Sequence, residues 1–210
     1  MAVTKISQLS PLTTVSGTTT FLVVDSGINY NTTANAVSIY SKSAIFNSTY
    51  GTDRSTQGSY VFSSPTWNLG GSVVGASQGR IVNFGYATTG ATPTVATADG
   101  SAAGATNQIM LSNRNAVAFC IYVVASVTTA GGNTKAWKLE GLIKRNSTAS
   151  GTSIIGSVTK TILGADSGAS TWDVAATADT TNGALAITVT GQTSTTINWN
   201  FNAHLSEVGF

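Results

Sequence analysis

At 210 residues the chain is long enough for one large domain, or for a medium domain with a small appendage. Only 9% of its residues are charged, against roughly 25% in an ordinary globular domain, and no run of Lys or Arg stands out behind the net charge of +2. That balance excludes the basic stripe a nucleic-acid binder uses to neutralise phosphates, and an apolar content of 41% excludes a disordered chain.

Thr, Ser, Gly, Asn and Ala replace the missing charge. Thr suits a pleated surface, Gly, Ser and Asn favour turns, and the good helix formers are scarce. The expectation is all-β. The N-terminus, MAVTKISQLSPLTT, lacks the apolar core of a signal peptide. No segment nears the ~20 apolar residues of a membrane span, so no membrane insertion is expected.

Residues 1–50 read as a small unit of their own. Ile6, Leu9 and Leu12 space an apolar stripe, Phe21 to Asp25 (FLVVD) form a short strand, Ser26-Gly27 a turn, and Tyr30 to Thr32 resume extended structure. Thr33 is placed to cap a short helix through Ala34, Val37, Tyr40, Ser41 and Ala44. Such a unit is too small to bury a good core, so docking on a partner or on the rest of the chain is expected. Residues 51–78 are polar and Gly-punctuated, an extended linker with a strand at Tyr60 to Phe62 and with Trp67, Leu69, Val73 and Val74 as packing groups.

Residues 79–210 alternate strands and turns at sandwich spacing, which predicts an antiparallel, jelly-roll-like β-sandwich. RIVNFGYA, TPTVATA and NQIMLS come first. AVAFCIYVVASV is continuously apolar and predicts burial on both faces or a central position, with Cys120 a small buried hydrophobe. In TKAWKLEGLIKR, Trp137, Leu139 and Ile143 share one face, and Lys138, Glu140, Leu142 and Lys144 the other. SIIGSVTKTIL, the turn GADSGAS and WDVAATA follow, and Asn182-Gly183 predicts a hairpin into ALAITVT. The final strand alternates most cleanly. Ile197, Trp199, Phe201, Ala203 and Leu205 point to the core; Asn198, Asn200, Asn202, His204 and Ser206 form a polar ladder open to solvent, a glycan or a neighbouring subunit.

Groups for catalysis are few. The one histidine, His204, has no nucleophile elbow to serve, since Ser77 in GASQG lacks the strand-to-helix context. Among the eight acids, Asp166 and Asp173, across the GADSGAS turn, are the best pair for glycoside cleavage. Asp in a turn ordinarily bonds its own backbone. Neither metal-ligand spacing nor a phosphate cradle is present, so no catalytic residue, metal or cofactor is assigned. The sequons at Asn31, Asn47 and Asn146 read as turn residues in an Asn/Ser/Thr-rich chain. Trp137 and Trp199 fall on apolar faces, whereas Trp67 and Trp172 are the tryptophans expected at the surface.

Two segments carry a family resemblance. The opening, KISQL followed by FLVVD, a turn and the stretch to Tyr40, resembles the N-terminal module of bacteriophage virion proteins, above all tail fibres of marine and cyanobacterial phages. The stretch from TTGATPTVATADG through AWKLEGLIKRNSTA to GQTSTTINW is similar to the C-terminal β-domain of such fibres and tailspikes. The resemblance implies a non-enzymatic virion component, a homotrimer whose residues Lys5, Ile6, Leu9, Phe21, Val23, Val24 and Asp25 attach it to other virion proteins of the tail or capsid. Its outer domain would then meet a host surface glycan or a neighbouring subunit through Trp67, Trp172, Asn198, Asn200, Asn202 and His204. The long repetitive shaft or catalytic β-helix of the larger fibres is missing. A capsid decoration or head-fibre protein is the alternative, and a glycan-active enzyme a remoter one.

Overall fold

The computed structural model describes residues 20–25, 28–33, 58–63, 76–129 and 131–209, and divides the chain into two units, Met1–Ile45 and Phe46–Phe210. In the first, β1 (Thr20–Asp25) and β2 (Ile28–Thr33) pair antiparallel in continuous register, from Thr20 opposite Thr33 to Asp25 opposite Ile28. Both expected strands are present. Thr33, expected to cap a helix, is the last residue of β2, an extended conformation that a cap also adopts, and the helix expected beyond it lies outside the described residues.

The second unit is the antiparallel sandwich the alternation predicts. Its large sheet has six strands in the order β3 (Ser59–Ser63), β4 (Ser77–Thr88), β12 (Ile197–Gly209), β7 (Asn115–Val127), β8 (Thr134–Arg145) and β9 (Thr152–Ala165). The strand expected at Tyr60 to Phe62 is thus an edge of this sheet, hydrogen-bonded to β4. The small sheet joins β10 (Asp173–Asp179), β11 (Ala184–Thr190), β5 (Thr94–Ala96) and β6 (Ile109–Met110), the last two both pairing with β11. The hairpin expected at Asn182-Gly183 links β10 to β11, with Gly183 at φ 75°, a left-handed conformation glycine adopts without a Cβ clash.

Period-two patterning decides which side chains fill the space between the sheets. Rows across β4, β12, β7 and β8 read Val82–Ala203–Ile121–Leu139 and Phe84–Phe201–Val123–Trp137, all buried. Leu185, Ile187, Val189 and Val174 oppose them from the small sheet. One row narrows to glycine. Phe119 lies over Gly141, and an added Cβ there would meet the Phe119 Cζ at 2.7 Å, so the bare backbone of β8 makes room for a buried ring. Opposite this point β9 shifts register between Glu140 and Leu142, and it shifts again between Ala136 and Trp137. These are bulges that bend the strand.

At one end of the core, Trp137 and Trp199 stack with centroids 5.7 Å apart and planes at 21°, and Trp172 leans on Trp199 at 6.3 Å. The expected burial of Trp137 and Trp199 is observed. The expected exposure of Trp172 is not, for it is only 1% exposed. It opens the chain segment before β10, but its indole turns inward and its Nε1 donates to Gln192 Oε1 at 3.1 Å. Lys135 closes this end, its Nζ donating to the Trp172 carbonyl at 2.7 Å and the Ala169 carbonyl at 3.2 Å, and sitting 5.1 Å from the Trp137 ring centre.

Of the two readings of the apolar run in β7, a central position holds, between β12 and β8, and burial on both faces does not. Val117, Phe119, Ile121, Val123 and Ala125 are buried, but Ala118, Tyr122 and Val124 are exposed, since nothing described covers that side of the sheet. Cys120 shares the open side and is half-buried rather than enclosed.

A polar knot ties the β10–β11 turn to the loop before β6. Asp179 accepts from the Thr181 and Asn182 N–H groups, from Asn182 Nδ2 at 2.7 Å and from Gln108 Nε2 at 2.8 Å. Burial pushes its carboxyl up, but the hydrogen bonds from Asn182, Gln108 and Thr181 outweigh this and hold it below the ordinary 3.8. A lowered carboxylate stabilises the fold above its unfolded value and loses that contribution as pH falls through the native one. Thermal unfolding followed from neutral pH downward should therefore show Asp179→Asn less stable than the parent at neutral pH, the two curves converging in acid below 3.8.

Candidate functional site

The outer face of the six-stranded sheet is where most candidate residues meet. On β12, Asn198, Asn200 and His204 are exposed and Asn202 is half-buried, in the alternation the sequence predicts. Cross-strand register extends the ladder into a surface. One row runs Tyr60–Ile81–His204–Cys120–Glu140–Thr159, and the next Asn83–Asn202–Tyr122–Lys138–Thr161. A third holds Gly85, Asn200, Val124 and Ala136, and a fourth Phe62, Gly79, Ser206, Ala118, Leu142 and Ile155.

This face is partly apolar, with Lys138, Glu140 and Lys144 as its charged groups on β8. Tyr60, Phe62, Tyr122, Val124, Leu142, Ile155 and Val208 are all exposed on it, though each is large and hydrophobic. Large apolar groups held exposed on one face, among polar ones, suit an interaction surface. Tyr122 meets His204 edge-on at 6.4 Å and 89°, and Asn200 Nδ2 donates to Asn83 Oδ1 at 3.4 Å. Lys138 and Glu140 pair at 2.9 Å, and the hydrogen bond that the ammonium donates to that carboxylate raises the Lys138 pKa above its ordinary value.

The remaining candidates do not join this face. Trp172 is in the core, and Trp67 lies outside the described residues, as do Leu69, Val73 and Val74. Lys5, Ile6 and Leu9 also lie outside them, while Phe21, Val23, Val24 and Asp25 fall on β1. Each member of the acid pair has partners of its own. Asp166 accepts from the Thr134 N–H and hydroxyl, and Asp173 pairs with Lys160 at 2.6 Å. Ser77 sits on β4. Among the described residues no group of three or more His, Cys, Asp or Glu side chains is placed to hold a metal ion.

Two arrangements were not anticipated from the sequence. Arg80 and Glu207 form an ion pair at 2.7 Å with both side chains fully buried; Gln78 Nε2 donates to the same carboxylate at 2.9 Å and Arg80 Nη2 to the Met110 carbonyl at 2.7 Å. The second is a pocket at the end of the β7–β8 pair, with Arg114, Lys144 and Arg145 in its lining.

No protein-family model matches the chain, and no curated protein matches it. Among solved structures, the tailspike protein of Acinetobacter phage vB_ApiP_P1 superposes on 62% of this chain and 22% of its own, at 12% identity and a TM-score of 0.28. The chain spans about a fifth of that tailspike's length, and an overlap this slight does not establish a common fold.

Proposed function

We propose that this chain is a structural, host-contacting subunit of a phage particle: a short trimeric fibre, attached through its N-terminal unit and touching the host with its sandwich domain. The open face of the six-stranded sheet is the observation that carries the reading. Its Asn83, Asn198, Asn200 and Asn202 amides suit hydroxyl-rich glycans, and Tyr60 and Tyr122 offer rings for the apolar faces of sugars. The separate engagement of Asp166 and Asp173 favours contact over cleavage. The resemblance of the KISQL and FLVVD segments to virion attachment modules supplies the particle context. A shallow site of this kind binds weakly, and three copies on one trimer gain strength through effective concentration.

Purified protein should bind host cells and elute at three times the chain's mass in light scattering. Tyr122→Ala with Asn200→Arg, both at exposed positions, should leave the thermal midpoint unchanged and reduce cell binding about tenfold or more. Unchanged binding in that variant would remove the face from the mechanism. Gold-labelled antibody on the tail supports the fibre, whereas label over the head would replace it with a capsid decoration protein.

A further inference from the structure

We infer that the edge of β4 past the end of β3 is a peptide-docking site, where an extended, uncharged segment of a different protein adds as a strand. β3 pairs with β4 as far as Ser59 opposite Val82, and one further bond runs from the Asn83 N–H to the Gly58 carbonyl at 3.2 Å. Gly58 sits at φ 72°, and a Cβ on it would run into the Asn83 carbonyl oxygen. Among the described residues nothing pairs with Phe84–Thr88 on that side, while β12 pairs with them throughout on the other.

Alternation decides which groups this edge offers. In an antiparallel ladder each residue turns its N–H and C=O to one neighbouring strand, and the next residue turns them to the other. Asn83 faces the β3 side, so Gly85 and Ala87 face it too, about 7 Å apart. Both are exposed, and in Gly85 the exposed atoms are all main chain. A β-strand is the ligand whose own N–H and C=O groups repeat at that spacing.

A cavity beside the same stretch is the second observation. Its volume is about 280 Å³, and Tyr86, Ala87 and Thr88 line it together with Thr89, Thr92 and Thr94. Tyr86 and Thr88 are in phase with the core and Ala87 with the outer face, so the cavity runs along the edge of the strand rather than over one side. No charged residue lines it, and a charge brought there would lose water without gaining a partner. The docked segment is therefore uncharged, and about six residues long to match the roughly 20 Å of Asn83–Thr88. No Lys, Pro or bulge interrupts that stretch, the devices that ordinarily keep an exposed edge from pairing. The other edge of the large sheet, β9, shifts register twice and offers no straight strand to donate, so the occupant is a different protein rather than a second copy.

The test is amide hydrogen exchange of the full chain, followed by NMR. Alone, the protein should exchange the Gly85 and Ala87 amides fast and those of Phe84 and Tyr86, which face β12, slowly. The probe is an uncharged hexapeptide of alternating Thr and Val, acetylated and amidated at its ends. A Kd of about 1 mM would slow Gly85 and Ala87 about tenfold at about 10 mM peptide. The same peptide methylated at every amide nitrogen cannot donate and should leave both rates unchanged. Ala87→Pro removes one of the two donors and should abolish the peptide's effect on Gly85. If that variant does not fold, the methylated peptide on the parent still decides. The inference fails if Gly85 and Ala87 are protected without peptide, if the hexapeptide leaves them unchanged at about 10 mM, or if both peptides act alike. Protection that grows with protein concentration in the absence of peptide would overturn the occupant and assign the edge to a second copy.

Discussion

Glu207→Leu is expected to destabilise the sandwich by about 3–5 kcal/mol. The carboxylate is fully buried between the Arg80 guanidinium, 2.7 Å away, and the Gln78 amide, 2.9 Å away. Removing it strands a positive charge in a medium that solvates charge poorly. Arg80→Met, Glu207→Leu in combination removes both charges and should recover most of the loss, because a well-packed apolar pair often equals or betters a buried ion pair. The Gln78 amide and the Met110 carbonyl each lose one partner in that variant, so recovery should be incomplete. Urea unfolding of the parent, both single variants and the double variant closes the cycle. A double variant no more stable than Glu207→Leu would show that the site depends on polar contacts rather than on charge balance.

Trp199→Ala should cost about 3–5 kcal/mol, the range for deleting a large buried aromatic side chain. Trp199 is the middle ring of three, stacked on Trp137 and tilted against Trp172, so its loss opens a cavity with aromatic walls on two sides. It also orphans a hydrogen bond, since its Nε1 donates to Thr88 Oγ1 at 2.9 Å and Thr88 is buried. Trp199→Phe keeps the ring stacking but not the donor, and should fall between the two. The ordering parent, Phe, Ala in unfolding free energy is the check; equal losses would assign the whole effect to the hydrogen bond.

The two variants act on positions of unequal legibility. Trp199 could be placed from sequence because β12 alternates without a break, and a period of two leaves its even positions no way into the core. Arg80 and Glu207 obey the same period, Arg80 in phase with Val82 and Phe84, Glu207 with Leu205 and Ala203. Both were therefore committed to the interior by phase. Residue type, which ordinarily puts a charge outside, masks that signal. In β7 the opposite happened. Its apolar run hides alternation, because Tyr122, Val124 and Ala118 on the open side are as hydrophobic as the core residues between them. Trp172 was misplaced because it precedes its strand, where no period constrains the side chain. The pocket at the end of the β7–β8 pair was out of reach for another reason: its lining comes together only through the pairing of Asn115 with Arg145.

The bends in β9 bear on how copies of this chain coexist. Proteins crowded together ordinarily keep apart by charge, and this one carries little. The longest edge strand among the described residues, the fourteen residues Thr152–Ala165, presents Ile162 and Leu163 to solvent, and a straight strand of that kind would recruit a neighbour's strand. Two bulges and the left-handed Gly156 break its repeat of donors and acceptors, and Lys160 sets a charge along it. Geometry here does the work that electrostatic repulsion does elsewhere, guarding the edge against the strand of a second copy.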